Sequence, residues 1–110
     1  MLKLNRWNTW NFTFKKRASA TAPFDSLNGV QIFFTIKREK DLVADDAGAI
    51  YEADYLVNTA VTSYTFTVAP TDTDIAPGIY TYGFRWIQSG VEKTADCNFE
   101  VLPTTTNRRA

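Results

Sequence analysis

Along much of the chain, large apolar side chains fall at every second position. Trp10, Phe12 and Phe14 alternate with Asn11, Thr13 and Lys15, the period of a half-buried strand. Ile32, Phe34 and Ile36 repeat the pattern within residues 30–37, and Phe33 on the opposite parity predicts a strand with apolar cover on both faces. Tyr64, Phe66 and Val68 alternate with Thr65 and Thr67. The longest run is Tyr80, Tyr82, Phe84 and Trp86, which follows Pro77-Gly78. Cys97, Phe99 and Val101 share one face within residues 91–101, opposite Asn98 and Glu100. Residues 50–57 are a weaker strand candidate.

Turn chemistry separates these runs. Leu27-Asn28-Gly29 and Ser89-Gly90 are turn signals, and Ser89-Gly90 joins two strands as a hairpin. Pro70-Thr71-Asp72-Thr73-Asp74 predicts a turn or a single helical turn. Residues 38–48, charged and rich in Asp and Ala, read as a connection. No helical period is sustained over the ~10–12 residues a helix requires. Strands with a turn signal every ~8–12 residues are the pattern of a sandwich or barrel. The expected fold is an all-β, immunoglobulin-like antiparallel β-sandwich of roughly seven strands. Residues 1–103 form one domain and residues 104–110 a C-terminal tail.

Composition narrows the chemistry. Eight Phe, five Tyr and three Trp in 110 residues suit pleated, half-buried surfaces. Twelve Lys plus Arg balance twelve Asp plus Glu, so no global field draws the chain onto nucleic acid or anionic lipid. Such neutrality suits a protein packed in an assembly. Histidine is absent, which removes His-based acid–base catalysis and the commonest metal ligand. The single cysteine, Cys97, cannot form an internal disulfide and reads as a small buried hydrophobe. No apolar run approaches the ~20 residues of a membrane span. Met1-Leu2-Lys3-Leu4-Asn5 has no signal-peptide core, so synthesis in a cytoplasm is expected.

Candidate motifs resolve mostly into structural ones. Asp41, Asp45 and Asp46 lack the spacing of a calcium loop. Lys15-Lys16-Arg17 and Arg108-Arg109 are basic clusters without a known nucleic-acid module around them; docking onto an acidic partner remains open for them. No glycine-framed nucleophile and no phosphate loop is present. No catalytic, cofactor or metal residue is therefore assigned, and an enzyme is not expected. Trp7, Trp10, Arg108 and Arg109 are the candidate interface residues, because Trp and Arg are enriched at interface hot spots. For Trp10 the competing role is core packing. The segments 1–7 and 104–110 are candidate arms that order on docking. Tyr51, Tyr55 and Trp86 are the aromatic candidates should the domain bind carbohydrate.

Residues 74–82, with Gly78, Tyr80 and Tyr82, resemble the tyrosine corner of immunoglobulin-type sandwiches. Tyr82 stands at the position of the second cysteine, and the Tyr80 hydroxyl is expected to bond back to the corner. A wider resemblance covers nearly the whole chain. Short β-rich virion proteins of tailed phages open with a W-x-F-x-F strand and follow it with a DLTG…FTVKR-like strand. They then carry a P-x-DT…G-x-Y-x-Y corner, a hairpin and a closing F-x-V-x-P-x-x-T-x-R segment. This chain has Trp10-Asn11-Phe12-Thr13-Phe14, then Asp25-Ser26-Leu27-Asn28-Gly29 leading to Phe34-Thr35-Ile36-Lys37-Arg38. It continues with Pro70-Thr71-Asp72-Thr73-Asp74, Gly78-Ile79-Tyr80-Thr81-Tyr82 and Phe99-Glu100-Val101-Leu102-Pro103-Thr104-Thr105-Thr106-Asn107-Arg108. It departs from the pattern at Ser26 and over residues 40–62. The chain is also similar to the N-terminal immunoglobulin-like domain of phage upper-baseplate proteins. The resemblance implies a non-enzymatic virion component of the tail, baseplate or neck, made in the host cytoplasm. Its partners would be other virion proteins in a multi-copy or homo-oligomeric assembly, with no nucleic acid, membrane or cofactor. Capsid decoration and a carbohydrate- or receptor-binding module are the alternatives.

Overall fold

Alternation places one row of side chains on each face of a strand, so each run described above supplies one face to a core. The computed structural model describes residues 1–38 and 48–104. Among the described residues the strands are β1 (Leu2–Asn5), β2 (Trp10–Phe14), β3 (Gln31–Arg38), β4 (Ala49–Leu56), β5 (Tyr64–Val68), β6 (Gly78–Gln88) and β7 (Val91–Leu102). They form a five-stranded sheet in the order β1-β7-β6-β3-β4 and a two-stranded sheet of β2 and β5.

The larger sheet is mixed, which corrects the expectation of a wholly antiparallel fold. β1 runs parallel to β7, with Leu2 beside Phe99 and Leu4 beside Val101. All other pairings are antiparallel. The parallel pair arises because the chain does not return from β1 in a hairpin. It turns at residues 5–8 and crosses into β2 in the other sheet, where the Asn8 amide donates to the Asn5 carbonyl (3.3 Å). The expected N-terminal arm is thus a strand over Leu2–Asn5.

The two sheets face each other across an aromatic core. β2 contributes Trp10, Phe12 and Phe14, and β5 contributes Phe66 and Val68. From the larger sheet come Ile32, Phe34, Ile36, Tyr80, Phe99 and Val101. Phe12 spans the gap, with ring centroids 5.0 Å from Phe34, 4.7 Å from Tyr82 and 5.7 Å from Phe99. Each fully buried ring of this kind contributes about 1.5–3 kcal/mol of transfer free energy. The outer face of the smaller sheet is polar: Thr13 and Thr65 share a 2.8 Å hydrogen bond, and Thr67 donates to Asn11 (2.8 Å). Leu27, Val30 and Val57 close one end of the core. Leu27 and Gly29 donate backbone bonds of 2.8 Å to Val61 and Val57. Phe33 lies half-buried on the outer face of the larger sheet, between Asp54 and Arg85.

Candidate interaction surfaces

The corner between β5 and β6 is built for rigidity. Gly78 has φ of 150°, a region open essentially to glycine alone. Two residues on, Tyr80 is 3% exposed, with its ring stacked 5.8 Å from Phe99. Its hydroxyl donates to the Ala76 carbonyl, the backward bond that a tyrosine corner requires. Removing that hydroxyl takes away the Ala76 carbonyl's partner in the protein. Tyr80→Phe is accordingly expected to lower the unfolding free energy by about 1 kcal/mol. Urea denaturation measures this, and an unchanged midpoint would count against a structural role for the bond.

Tyr82 is half-buried opposite Cys97. Cys97 itself is exposed, contrary to the buried position expected for it. Its parity faces the smaller sheet, but the cover stops short: residues 91–98 of β7 are exposed throughout, and burial begins only at Phe99. Burial raises the Tyr82 hydroxyl above the usual tyrosine range, aided by hydrogen bonding with the Cys97 thiol. Burial also raises Tyr51, followed by the nearby charge of Asp72. A raised folded-state pKa favours the neutral form. The resulting stability is fully present below the unfolded value of about 10 and is lost as pH climbs from there through the folded value. Urea midpoints should therefore hold up to about pH 10 and fall as pH rises above it, less steeply for Tyr82→Phe. A midpoint unchanged above that pH would contradict the burial of these hydroxyls.

The candidate interface residues have separate fates. Trp10 is 2% exposed, with its indole N–H donating to the Asn5 carbonyl (2.8 Å) and its ring edge-on to Phe99 at 5.7 Å. It is a core residue and presents no ring surface to a partner. Trp7 is half-buried at φ of 73°, with the Arg6 guanidinium 5.3 Å from its ring centre. Arg6 also binds Asp74 (2.7 Å), tying the turn after β1 to the loop before β6. Thr73, fully buried, donates to the Asn8 carbonyl (2.8 Å) in the same tie. Arg108 and Arg109 lie outside the described residues, as do Asp41, Asp45 and Asp46. Tyr51 packs half-buried near Phe34 at 6.0 Å, and Tyr55 stacks on Tyr64 at 4.3 Å while staying 38% exposed.

Two further features converge at one end of the larger sheet. The first is the free edge of β7. β1 covers it only from Phe99 to Leu102. Among the described residues no strand pairs with that edge over residues 91–98. The charges of Glu92, Lys93 and Asp96 in an otherwise strand-like run were the sequence signal for an edge. The second feature is an open cleft of about 460 Å³ lined by Lys16, Arg17, Asp25, Trp86, Val91 and Lys93, among others. Trp86 rests on Phe14 at 5.1 Å, and Lys93 sits beside it in the β6–β7 pairing. Lys15 and Arg17 hold their charges 5.1 Å and 4.6 Å from the Phe24 ring centre, and Lys16 binds Asp25 (3.1 Å). Lys16 and Arg17 of the basic cluster thereby line the cleft beside the open edge. No protein-family model matches this chain, and no curated protein matches it.

Proposed function

We propose that the chain is a non-enzymatic structural component of a tailed-phage virion, an immunoglobulin-like sandwich acting through protein–protein contacts in the tail, baseplate or neck. The single observation that carries the contact function is the edge of β7, exposed over residues 91–98 and lacking a strand partner among the described residues. Backbone donors and acceptors left at a sheet edge readily take up another strand. The immunoglobulin-like assignment draws support from the β1-β7-β6-β3-β4 sheet facing β2-β5 and from the Tyr80–Ala76 bond. The virion setting draws on the order of motifs along the chain, which resembles that of tailed-phage virion proteins.

The test is the copy number in purified particles, by quantitative mass spectrometry against the major capsid protein. A few copies per particle support the tail, baseplate or neck. Copies comparable to the capsid protein would move the site to shell decoration, and absence from particles would overturn the virion reading. A carbohydrate- or receptor-binding module is the second reading, favoured by the exposed Tyr55 ring on its Tyr64 platform. Glycan binding abolished by Tyr55→Ala would promote it.

A further inference from the structure

The hairpin that joins β6 to β7 determines which backbone groups face the open edge. Ser89 and Gly90 have φ of 51° and 79°, a two-residue turn of the primed kind that matches strand twist. In such a hairpin the flanking residues, Gln88 and Val91, form a hydrogen-bonded pair. By alternation Val91, Lys93, Ala95 and Cys97 spend their backbone groups on β6. Those of Glu92, Thr94, Asp96 and Asn98 point away from it. At the far end, the Leu102 carbonyl accepts from the Arg6 amide, which fixes the same parity independently. The side chains of Lys93, Ala95 and Cys97 lie on the face turned toward the smaller sheet, because Phe99 and Val101 of the same parity are core.

We propose that this edge takes an extended acidic segment of another protein as an added strand, with its carboxylates seated by Lys93 and Arg17 at the cleft. This assignment rests on the reading of the chain as an assembly component and names the chemistry of its partner. An added strand places every second side chain on the cleft face. There it meets Lys93, then the small Ala95 and Cys97. Among the described residues Lys93 carries no ion pair, whereas Lys16 is neutralised by Asp25. On the other face the strand meets Glu92, which Arg85 already pairs, then Thr94 and Asp96, where neutral side chains fit better than carboxylates.

The alternative occupants meet obstacles. A nucleic-acid backbone, charged at every nucleotide, could not keep its phosphates to the cleft face alone and would carry them past Glu92 and Asp96, on a chain of zero net charge. A second copy must pair about a two-fold axis perpendicular to the sheet, which passes through opposed identical residues. Centred on Thr94, this sets Glu92 against Asp96 in both halves. Centred on Lys93, it opposes two lysines. Centred on Ala95, it drives Val91 of the mate into the place opposite Phe99 that Leu2 already holds.

Fluorescence anisotropy of a labelled, end-capped peptide of alternating Thr and Glu tests the site on the intact chain. Saturable binding is expected, with Cys97 protected from alkylation in the bound state. Lys93→Glu combined with Arg17→Glu should weaken it by roughly tenfold or more and favour the Thr–Lys peptide. Thr94→Pro deletes an outward N–H without removing a β6 bond and should abolish binding; the charge variants carry the test should the proline variant not fold. No binding of the Thr–Glu peptide, equal binding of the Thr–Lys peptide, tighter binding of a single-stranded oligonucleotide, or dimerisation lost in Thr94→Pro would each overturn the proposal. Presence in particles without peptide binding would remove this partner alone. Peptide binding with absence from particles would remove the virion setting alone.

Discussion

Replacing Phe34 by alanine is expected to remove a large share of the chain's stability, about 3–5 kcal/mol. Phe34 is fully buried at the centre of β3 and is touched from both sheets. Its ring stacks on Phe66 at 5.3 Å and lies 5.0 Å from Phe12 in the smaller sheet. Within its own sheet it meets Phe84 at 5.3 Å, Tyr51 at 6.0 Å and Tyr82 at 6.3 Å. Truncating a buried Phe costs about 3–5 kcal/mol, because the cavity adds to the lost transfer energy. Aromatic pairs contribute about 0.5–1.5 kcal/mol beyond area, so this site belongs at the upper end. A domain of this size has only about 5–15 kcal/mol in total. Phe34→Leu keeps most of the volume and should cost far less. Urea denaturation of both variants checks the claim; a Phe34→Ala loss below about 1 kcal/mol would mean that the two sheets do not close on this ring.

The same alternation that made Phe34 legible as core also shows where sequence reasoning stops. Five of the strands were marked by apolar residues at a period of two, residues 50–57 were a weaker candidate, and Ser89-Gly90 marked the hairpin. Period assigns a face, but it does not say how far the opposite sheet reaches. Phe99 and Cys97 share parity in β7, yet only Phe99 is covered. The reach is set by the width of the smaller sheet: Phe14 gets as far along as Phe84 and Trp86 of β6, but two strands facing five leave β7 beyond them uncovered. β1 escaped for a related reason. Its two leucines give too short a pattern, Leu2 is 45% exposed, and the strand is held by backbone pairing to β7. The open edge was legible only in hindsight, through Glu92, Lys93 and Asp96. The cleft beside it was not legible at all, since Lys16 and Lys93 meet only through tertiary packing.

Trp10→Ala is the second large effect, and it bears on the interaction surface. The indole fills the core beside Phe99 and also fastens the Asn5 carbonyl at the end of β1. Truncation costs about 3–5 kcal/mol for the cavity, with a further loss of about 1 kcal/mol for the hydrogen bond. The damage should be directional. β1 is the shortest strand of its sheet, and with its C-terminal tether gone it is expected to detach from β7 before the rest unfolds. The free edge would then lengthen from residue 98 to Leu102, uncovering the flanks of Phe99 and Val101, which now lie beside Leu2 and Leu4. Hydrogen exchange should show the amides of β1 and the edge-facing amides of Glu100 and Leu102 losing protection together, with aggregation rising in step. Trp7→Gly is the matched control, since φ of 73° suits glycine and the ring is only half-buried. It should shift stability by no more than about 1 kcal/mol. Equal destabilisation by the two substitutions would mean that β1 is anchored by the turn at residues 5–8 as a whole rather than by the Trp10 indole.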